Sequence, residues 1–483
     1  MKKKRREFKL AAAIDLGSRA VRMDVLQLAA GERPVLLESL RREVDLGRAV
    51  FRAGEVPPGE VSLLCDIFAD CRRKLDEYPF PAVRAAASGP LREAANSAVV
   101  IDRIFRASGI LPEIPEAAEE SRRFAAALRR SLAASGIGVS SRMIAVRAGA
   151  WSLHVLGFES GALCFAEELP VGSDRLPEGM ADDELARSLA DRIAASGILR
   201  RLKCSFAGAP EILAAAGGGA RRIAGMDGDP DAARVFAAAE FLSLAGKISG
   251  AAEAAGAVAA VLKEFPCGSV AVPGLTALTV LSDPPGEGDA ELFAADLAGV
   301  ASALGGRFAV DRGFAERTAY VAAELWKKLR TRGGFPERTL PLLETAARLR
   351  DVGNFLAGRD AGGDSEYIID SLFLPGVSSA ERRLVAAAVR FARSRGTAPE
   401  HIETVAPELR SELFRMAAIL RAASVLALTP GGVSGMRLNF AGDELVATFR
   451  SGATGAERAE LERAAALFLR VFGVAPRIGE ASL

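Results

Sequence analysis

The sequence predicts an α/β fold built from a duplicated half, followed by a helical domain and a small α/β appendage, and three observations lead there. The segments 11–28, AAAIDLGSRAVRMDVLQL, and 143–158, MIAVRAGAWSLHVLGF, each read as an apolar strand, a tight glycine turn and a second alternating strand. From about residue 305 helical periodicity dominates, and the final stretch returns to strand alternation. Superposing the two hairpin segments puts Asp15 on Arg147, Gly17 on Gly149 and Arg22 on His154. Either turn can aim backbone N–H groups at an anion, so the duplication points to phosphate held between two halves.

After a basic tail over 1–10, the first half is expected over 11–135. Its hairpin is followed by a helix over 58–77, where Val61, Leu64, Phe68, Cys71 and Leu75 keep helical spacing, then a strand at 82–87 and a helix from about 90 to 108. A Gly- and Ser-rich break at Ser135–Ser141 separates it from a second half over 138–300. Helices near 182–197 and 232–255 and strands near 163–168, 203–207 and 269–273 are predicted there. The helical domain, 305–428, carries periodic runs at 313–330, 340–356, 379–394 and 407–428. ThrProGlyGly at 429–432 reads as a linker to the small α/β domain, 432–483, with strands at Met436–Phe440 and Leu445–Phe449 and a charged helix at 455–471.

Composition limits the function. In 483 residues, 62 Lys and Arg nearly cancel 61 Asp and Glu, so there is no global electrostatic case for nucleic acid or an anionic membrane, and a phosphate site must be local. The length calls for several cores. Cys65, Cys71, Cys164, Cys204 and Cys267 are odd in number and form no CxxC pair, which fits reduced thiols and a cytoplasmic protein. MKKKRREFKL lacks the apolar core of a signal peptide. The longest uncharged stretch, Phe265 to Ser282, is interrupted by Pro266, Gly268, Pro273 and Gly274, so it reads as a strand, a turn and a helix start rather than a membrane span.

AAIDLGS, then ASGPLREAAN at 87–96, the Glu119–Glu120 pair, the second glycine turn and the helical domain together resemble the exopolyphosphatase and guanosine pentaphosphate phosphatase (Ppx/GppA) family, in matching order over nearly the whole chain. The resemblance implies two actin-like ATPase (ribonuclease H-like) halves facing across a cleft and an all-α HD-like domain. It also implies polyphosphate or a guanosine polyphosphate as ligand, Mg²⁺ if the protein is catalytically active, and a homodimer.

Residue by residue, the first turn resembles D-x-G-S-N-S through Asp15, Gly17 and Ser18, with Arg19 in place of Asn adding a charge that suits an anion but not a coordinated cation. The same pattern also fits an ordinary hairpin with a surface Arg. ASGPLREAAN resembles A-T-S-A-L-R-E-A-x-N, with Gly89 and Pro90 departing, which makes Arg92 a phosphate ligand by resemblance or else a helix cation paired with Glu93 or Glu116. In the register of S-G-x-E-E-A-R, Glu120 takes the place of the catalytic carboxylate, which would orient and deprotonate the attacking water; paired glutamates on an Ala- and Arg-rich helix are also an ordinary solvated face.

The second turn departs most. Where the family has D-x-G-G-G-S-x-E, this chain reads Arg147-Ala148-Gly149-Ala150-Trp151-Ser152-Leu153-His154. Both carboxylates that would help hold Mg²⁺ are missing, so the two-ligand metal site cannot form and no metal ligand is assigned. Three consequences stay open: Trp151 plugs the cleft; Arg19, Arg92 and Arg147 bind a polyanion without metal, beside Gly149 and Ser152; or Arg147 pairs with Asp15 or Glu120 and makes that carboxylate a weaker base.

Later matches are looser: ELPVGSDRL at 168–176, PheAlaGlyAla at 206–209 where a Gly-Gly-Thr turn is expected, and ValProGlyLeu at 272–275. In the helical domain the motif L-H-D-I-G reads Leu349-Arg350-Asp351-Val352-Gly353, the histidine-rich segment reads 361–367 AGGDSEY, R-x-H reads Arg390-Phe391-Ala392, and Ser424 stands where an Asp is expected. Only His154 and His401 exist in the chain, so metal-dependent HD chemistry is not expected. The expected function is therefore a Ppx/GppA-type protein that binds a phosphoanhydride with hydrolysis weak or lost, a pseudoenzyme; the alternative is an active hydrolase using Glu120 as base.

Overall fold

In a computed structural model of the chain, the structure describes residues 8–29, 35–79, 81–139, 142–206, 208–226, 233–275, 288–333, 335–356, 360–394, 396, 402–429, 433, 436–449 and 454–479. The chain divides into two compact units, residues 1–161 with 165–290, and residues 162–164 with 291–483.

The first unit opens with β1 (Phe8–Leu16), β2 (Ala20–Ala29) and β3 (Val35–Glu43), then helices α1 (Leu46–Ala53) and α2 (Pro58–Leu75), β4 (Ala82–Ala87), and helices α3 (Gly89–Glu93), α4 (Ser97–Ser108) and α5 (Ala117–Ala134). The sheet order is β3-β2-β1-β4, with β4 parallel to β1. Ile14, Leu16, Val21 and Met23 point to the face packed on Leu64, Phe68 and Cys71 of α2, as their alternation along the strands requires. Both α1 and α4 stop at a glycine in the left-handed region, Gly54 (φ 73) and Gly109 (φ 68).

The second half repeats this beginning. It contains β5 (Met143–Ala148), β6 (Leu153–Glu159), β7 (Ala162–Leu169), α6 (Asp182–Ala195), α7 (Ile198–Ser205), β8 (Ile212–Ala216), α8 (Gly218–Ile223), β9 (Arg234–Ala237), α9 (Ala238–Ala245), α10 (Ala252–Glu264) and β10 (Ser269–Val272), in sheet order β7-β6-β5-β8-β10-β9. The two hairpins match in register: Asp15 stands opposite Arg22, and Arg147 opposite His154. Each turn closes with the same bond, Gly17 N–H to the Ala20 carbonyl and Gly149 N–H to the Ser152 carbonyl, both 3.0 Å. Each first strand then takes a parallel neighbour, β4 on β1 and β8 on β5. This is the duplicated α/β arrangement that the sequence predicts.

Several predicted elements differ. The helix expected over 90–108 is two, because the Asn96 amide leaves the helical path to exchange hydrogen bonds with the Val56 backbone, 2.9 Å each way. Residues 203–205 end α7 rather than forming a strand; the strand is β8, whose Leu213 to Ala216 are fully buried between β5 and β10. The helix expected over 232–255 is β9, α9 and α10, with Ala251 leading into α10. Val235 pairs with Ala271, so β9 forms the edge of the sheet and its alternation was hidden by an Ala-rich context. The helix start expected after β10 falls outside the described residues, as do most of the basic tail and most of the 429–432 linker.

In the second unit, helices span Asp289–Arg307, Arg312–Gly333, Thr339–Leu349, Ala361–Asp370, Ser379–Arg393 and Arg410–Leu426. The run predicted over 340–356 stops at Leu349 and continues as a 3₁₀ turn, Val352–Leu356. Ser378 and Glu381 form a reciprocal capping box, as do Thr454 and Glu457 at the start of the last helix. That last helix, Gly455–Phe472, crosses between the parallel strands β12 (Glu444–Thr448) and β13 (Ala475–Ile478), with β11 (Arg437–Ala441) antiparallel on the other side of β12.

Gly353 marks a tight contact in this unit. A Cβ there would lie 2.4 Å from both the Ala361 carbonyl oxygen and the Ser365 nitrogen, which are backbone atoms and cannot rotate away. Gly353→Ala is expected to destabilise the unit by about 1–3 kcal/mol. A midpoint in urea unfolding unchanged from the parent would contradict this.

Candidate functional site at the junction of the two halves

The two hairpin turns of the first unit bring a charged cluster together where its halves meet. Glu120 sits in the first turn of α5 and is buried. Arg147 Nη2 donates to its Oε2 at 2.8 Å, and Arg92 Nη1 donates to its Oε1 at 3.0 Å. Arg92 also donates to Glu168 Oε1 at 3.2 Å and to the Pro115 carbonyl at 2.6 Å. Both oxygens of the proposed base therefore carry guanidinium donors.

His154 completes the cluster. Its Nε2 lies 2.9 Å from Arg147 Nη2, and its Nδ1 lies 2.8 Å from Ser121 Oγ. A guanidinium has no acceptor, so Nε2 accepts and the proton sits on Nδ1, donated to Ser121. The 3.4 Å and 3.6 Å approaches of Glu168 and Glu120 to Nε2 are contacts, since that nitrogen's lone pair already faces Arg147. Burial, and then Arg147, push the His154 pKa down. Burial draws Glu120 upward, but the guanidiniums of Arg147 and Arg92 outweigh it and hold the carboxyl well below the usual carboxylate range.

Asp15 ends β1 opposite Arg22. It is enclosed by protein although part of its surface stays accessible, and among the described residues no hydrogen bond reaches its carboxylate. Burial pushes its pKa up to about 6 against the opposing pull of Arg22 and Arg147. A folded-state pKa above the unfolded one gives stability that is present below the ordinary value of 3.8 and lost as pH rises through about 6. Asp15→Asn is accordingly expected to raise stability at pH 8 by about 1–2 kcal/mol, with the gain shrinking towards pH 4. Denaturant unfolding at the two pH values checks this, and a neutral or destabilising effect at pH 8 would contradict it.

Arg19, in the first turn, is already paired within the junction. Its Nε donates to Asp174 Oδ1 at 2.8 Å, its Nη2 to Ser173 Oγ at 2.5 Å, and its Nη1 lies 3.4 Å from Glu253. Ser18 lies beside Asp174, and its carbonyl accepts from Gly47 N–H at 2.9 Å. Gly17, Gly149 and Ser152 shape the two turns as expected; Ser152 contributes its carbonyl to the turn.

Trp151 projects from the second turn into the core of the first half. A Cβ on Gly89 would meet Trp151 Cδ1 at 2.2 Å, so the indole occupies the notch that this glycine leaves. Its Nε1 donates to Glu93 Oε1 at 3.0 Å, and the Arg175 guanidinium lies 3.8 Å from the ring centroid. Of the three consequences left open by the sequence, the Arg147 ion pair is present, made with Glu120 rather than with Asp15.

Sequence reading missed Glu168, Ser173, Asp174, Arg175 and Glu253 as members of this cluster. The first four lie in ELPVGSDRL, a segment that carried signal for the fold but no charge pattern assigning partners. The glycine turn expected at 206–209 is instead Gly217–Gly219 between β8 and α8; Phe206 ends α7, and Ala207 lies outside the described residues.

In the second unit Asp351 accepts from Arg350 Nη1 at 2.7 Å and from Arg393 Nη1. Arg390 donates to Glu366 at 2.7 Å, and Ser424 Oγ to the Leu420 carbonyl at 2.6 Å. His401 lies outside the described residues. Among the described residues no group of three or more His, Cys, Asp or Glu side chains converges on a cation position. No helix among them is long and apolar enough to cross a membrane.

Residues 299–429 match the family model described as Ppx/GppA phosphatase, domain III. The guanosine-5'-triphosphate,3'-diphosphate pyrophosphatase of Aeromonas hydrophila subsp. hydrophila is 30% identical over 155 residues, which are 32% of this chain and 31% of that protein, so the match spans about a third of the curated relative. Among solved structures, an exopolyphosphatase from Cytophaga hutchinsonii is 17% identical with a TM-score of 0.46, over 56% of this chain and 96% of that one. The Aquifex aeolicus member of the Ppx/GppA protein family is 18% identical with a TM-score of 0.45, over 55% and 94%.

Proposed function

We propose, from the match of residues 299–429 to the Ppx/GppA phosphatase domain III model, that the chain is a member of that family, recognises polyphosphate or a guanosine polyphosphate at the junction of its two halves and has lost metal-assisted hydrolysis. The observation that carries this reading is the double clamp on Glu120, with Arg147 on one oxygen at 2.8 Å and Arg92 on the other at 3.0 Å. A general base needs a free lone pair aimed at the water proton and a pKa near the working pH. Glu120 has neither. Its charge is already neutralised, and its affinity for a proton is reduced far below that of an ordinary glutamate.

Mg²⁺ does not fit the same donor set. The ion is held by carboxylate oxygens together with substrate phosphate, whereas this junction points the Arg147 guanidinium at the nearest buried carboxylate. Asp15 is the one carboxylate there without a hydrogen-bonded partner among the described residues, and Arg22 and Arg147 both lie within its field. The recognition half of the proposal rests on the paired glycine turns and on the arginines around them, groups that suit phosphoryl oxygens.

Phosphate release from long-chain polyphosphate and from guanosine pentaphosphate, each with and without Mg²⁺, tests the reading. No Mg²⁺-dependent turnover is expected. Robust turnover abolished by Glu120→Gln would establish the hydrolase instead.

A further inference from the structure

Building on that reading of the junction, we propose that the two halves of the first unit are held shut by the same arginines that an anion needs, so that closure and ligand occupancy exclude one another. Nearly every ion pair at the junction crosses from one half to the other. Arg19 of the first half takes Asp174 at 2.8 Å and Glu253 at 3.4 Å; Arg92 takes Glu168 at 3.2 Å. In the opposite sense, Arg147 of the second half takes Glu120 at 2.8 Å, and Arg175 takes Glu93 at 2.5 Å. From α1, Arg48 reaches Glu178 at 3.3 Å.

Carboxylate and phosphate oxygens compete for the same guanidinium donors, and at Arg19 the Nε, Nη1 and Nη2 nitrogens already face Asp174, Glu253 and Ser173, so an incoming phosphoryl group there displaces a carboxylate. Arg19 can be reached, because its side chain is 44% exposed while that of Asp174 is fully buried. Once Arg19 turns to a phosphate, Asp174 becomes a buried charge that has lost its strongest partner, and its Oδ2 has no hydrogen bond even in the closed form. Glu168 and Glu120 meet the same difficulty over Arg92, and both would then face the ligand's negative charge. Parting of the halves relieves all three by admitting water. The polyanion therefore opens this unit. A cleft that closes around its ligand would move in the opposite sense.

The test uses the full chain with one spin label on Cys204, which is exposed in the second half, and one on Arg103→Cys, exposed on α4 of the first. Adding polyphosphate of defined length is expected to lengthen the label separation measured by pulsed electron paramagnetic resonance. Removing the competing charges by Asp174→Asn or Glu168→Gln is expected to tighten polyphosphate binding by about tenfold, equivalent to about 1.4 kcal/mol. Binding with an unchanged or shorter separation, or with equal affinity in both variants, would overturn mutual exclusion and leave recognition standing. Absence of binding in the parent and in both variants would overturn recognition, and mutual exclusion with it.

Discussion

Arg147→Met is expected to destabilise the first unit by about 3–5 kcal/mol, because it breaks a mostly buried ion pair from one side only. Glu120 stays buried and keeps Arg92 at 3.0 Å, but its Oε2 loses its only close donor. The same substitution removes the group that His154 Nε2 accepts from, so a second buried polar atom is left unpaired. Methionine keeps most of the length of the aliphatic stem, while the guanidinium contact with the Phe124 ring at 5.7 Å is lost along with the polar contacts. Glu120→Leu in the same chain should recover a large part of the stability, since both halves of the pair are then apolar. Urea unfolding of the two single variants and the double variant checks this. A loss below about 1 kcal/mol for Arg147→Met would place the pair among the weak surface contacts and contradict the argument.

Trp151→Ala is expected to cost about 3–5 kcal/mol, the range for deleting a large buried aromatic side chain. The indole fills the space over Gly89, its N–H is the donor to Glu93, and its face supports Arg175. The steric fit gives a second readout. Gly89→Ala in the parent forces its new methyl against the indole and should be strongly destabilising, whereas in the Trp151→Ala background the notch is vacant and the same change should cost far less. A coupling energy above about 1 kcal/mol between positions 89 and 151 is expected from the cycle. Additive effects would mean that the indole does not lie over Gly89.

The duplicated hairpin was legible because strand alternation and a glycine turn are local features. The opposition of Asp15 to Arg22 and of Arg147 to His154 follows from turn geometry alone. Arg147 was legible as a departure for a similar reason, since a cation in a turn expected to carry a carboxylate changes the local charge wherever the chain folds. Partner choice was not legible. Glu120 pairs with a residue 27 positions away, and Arg19 with one 155 positions away, so no spacing rule distinguishes Asp174 from other acidic residues. The Gly89 notch was equally hidden: glycine before proline reads as a turn signal, and only the tertiary fold brings Trp151 onto it. In the Ala-rich segments 203–216 and 232–255 the difficulty was compositional, because alanine fits buried strand and helix alike and periodicity alone cannot separate them.

At the junction the Arg147 guanidinium sits on the Glu120 carboxylate at 2.8 Å, where a divalent ion would need a carboxylate oxygen. Binding of Mn²⁺ to the full chain, followed by the loss of the free-ion electron paramagnetic resonance signal, tests it most directly. No saturable site dependent on Asp15 or Glu120 is expected. One saturable Mn²⁺ per chain, removed by Asp15→Asn and by Glu120→Gln, would contradict it.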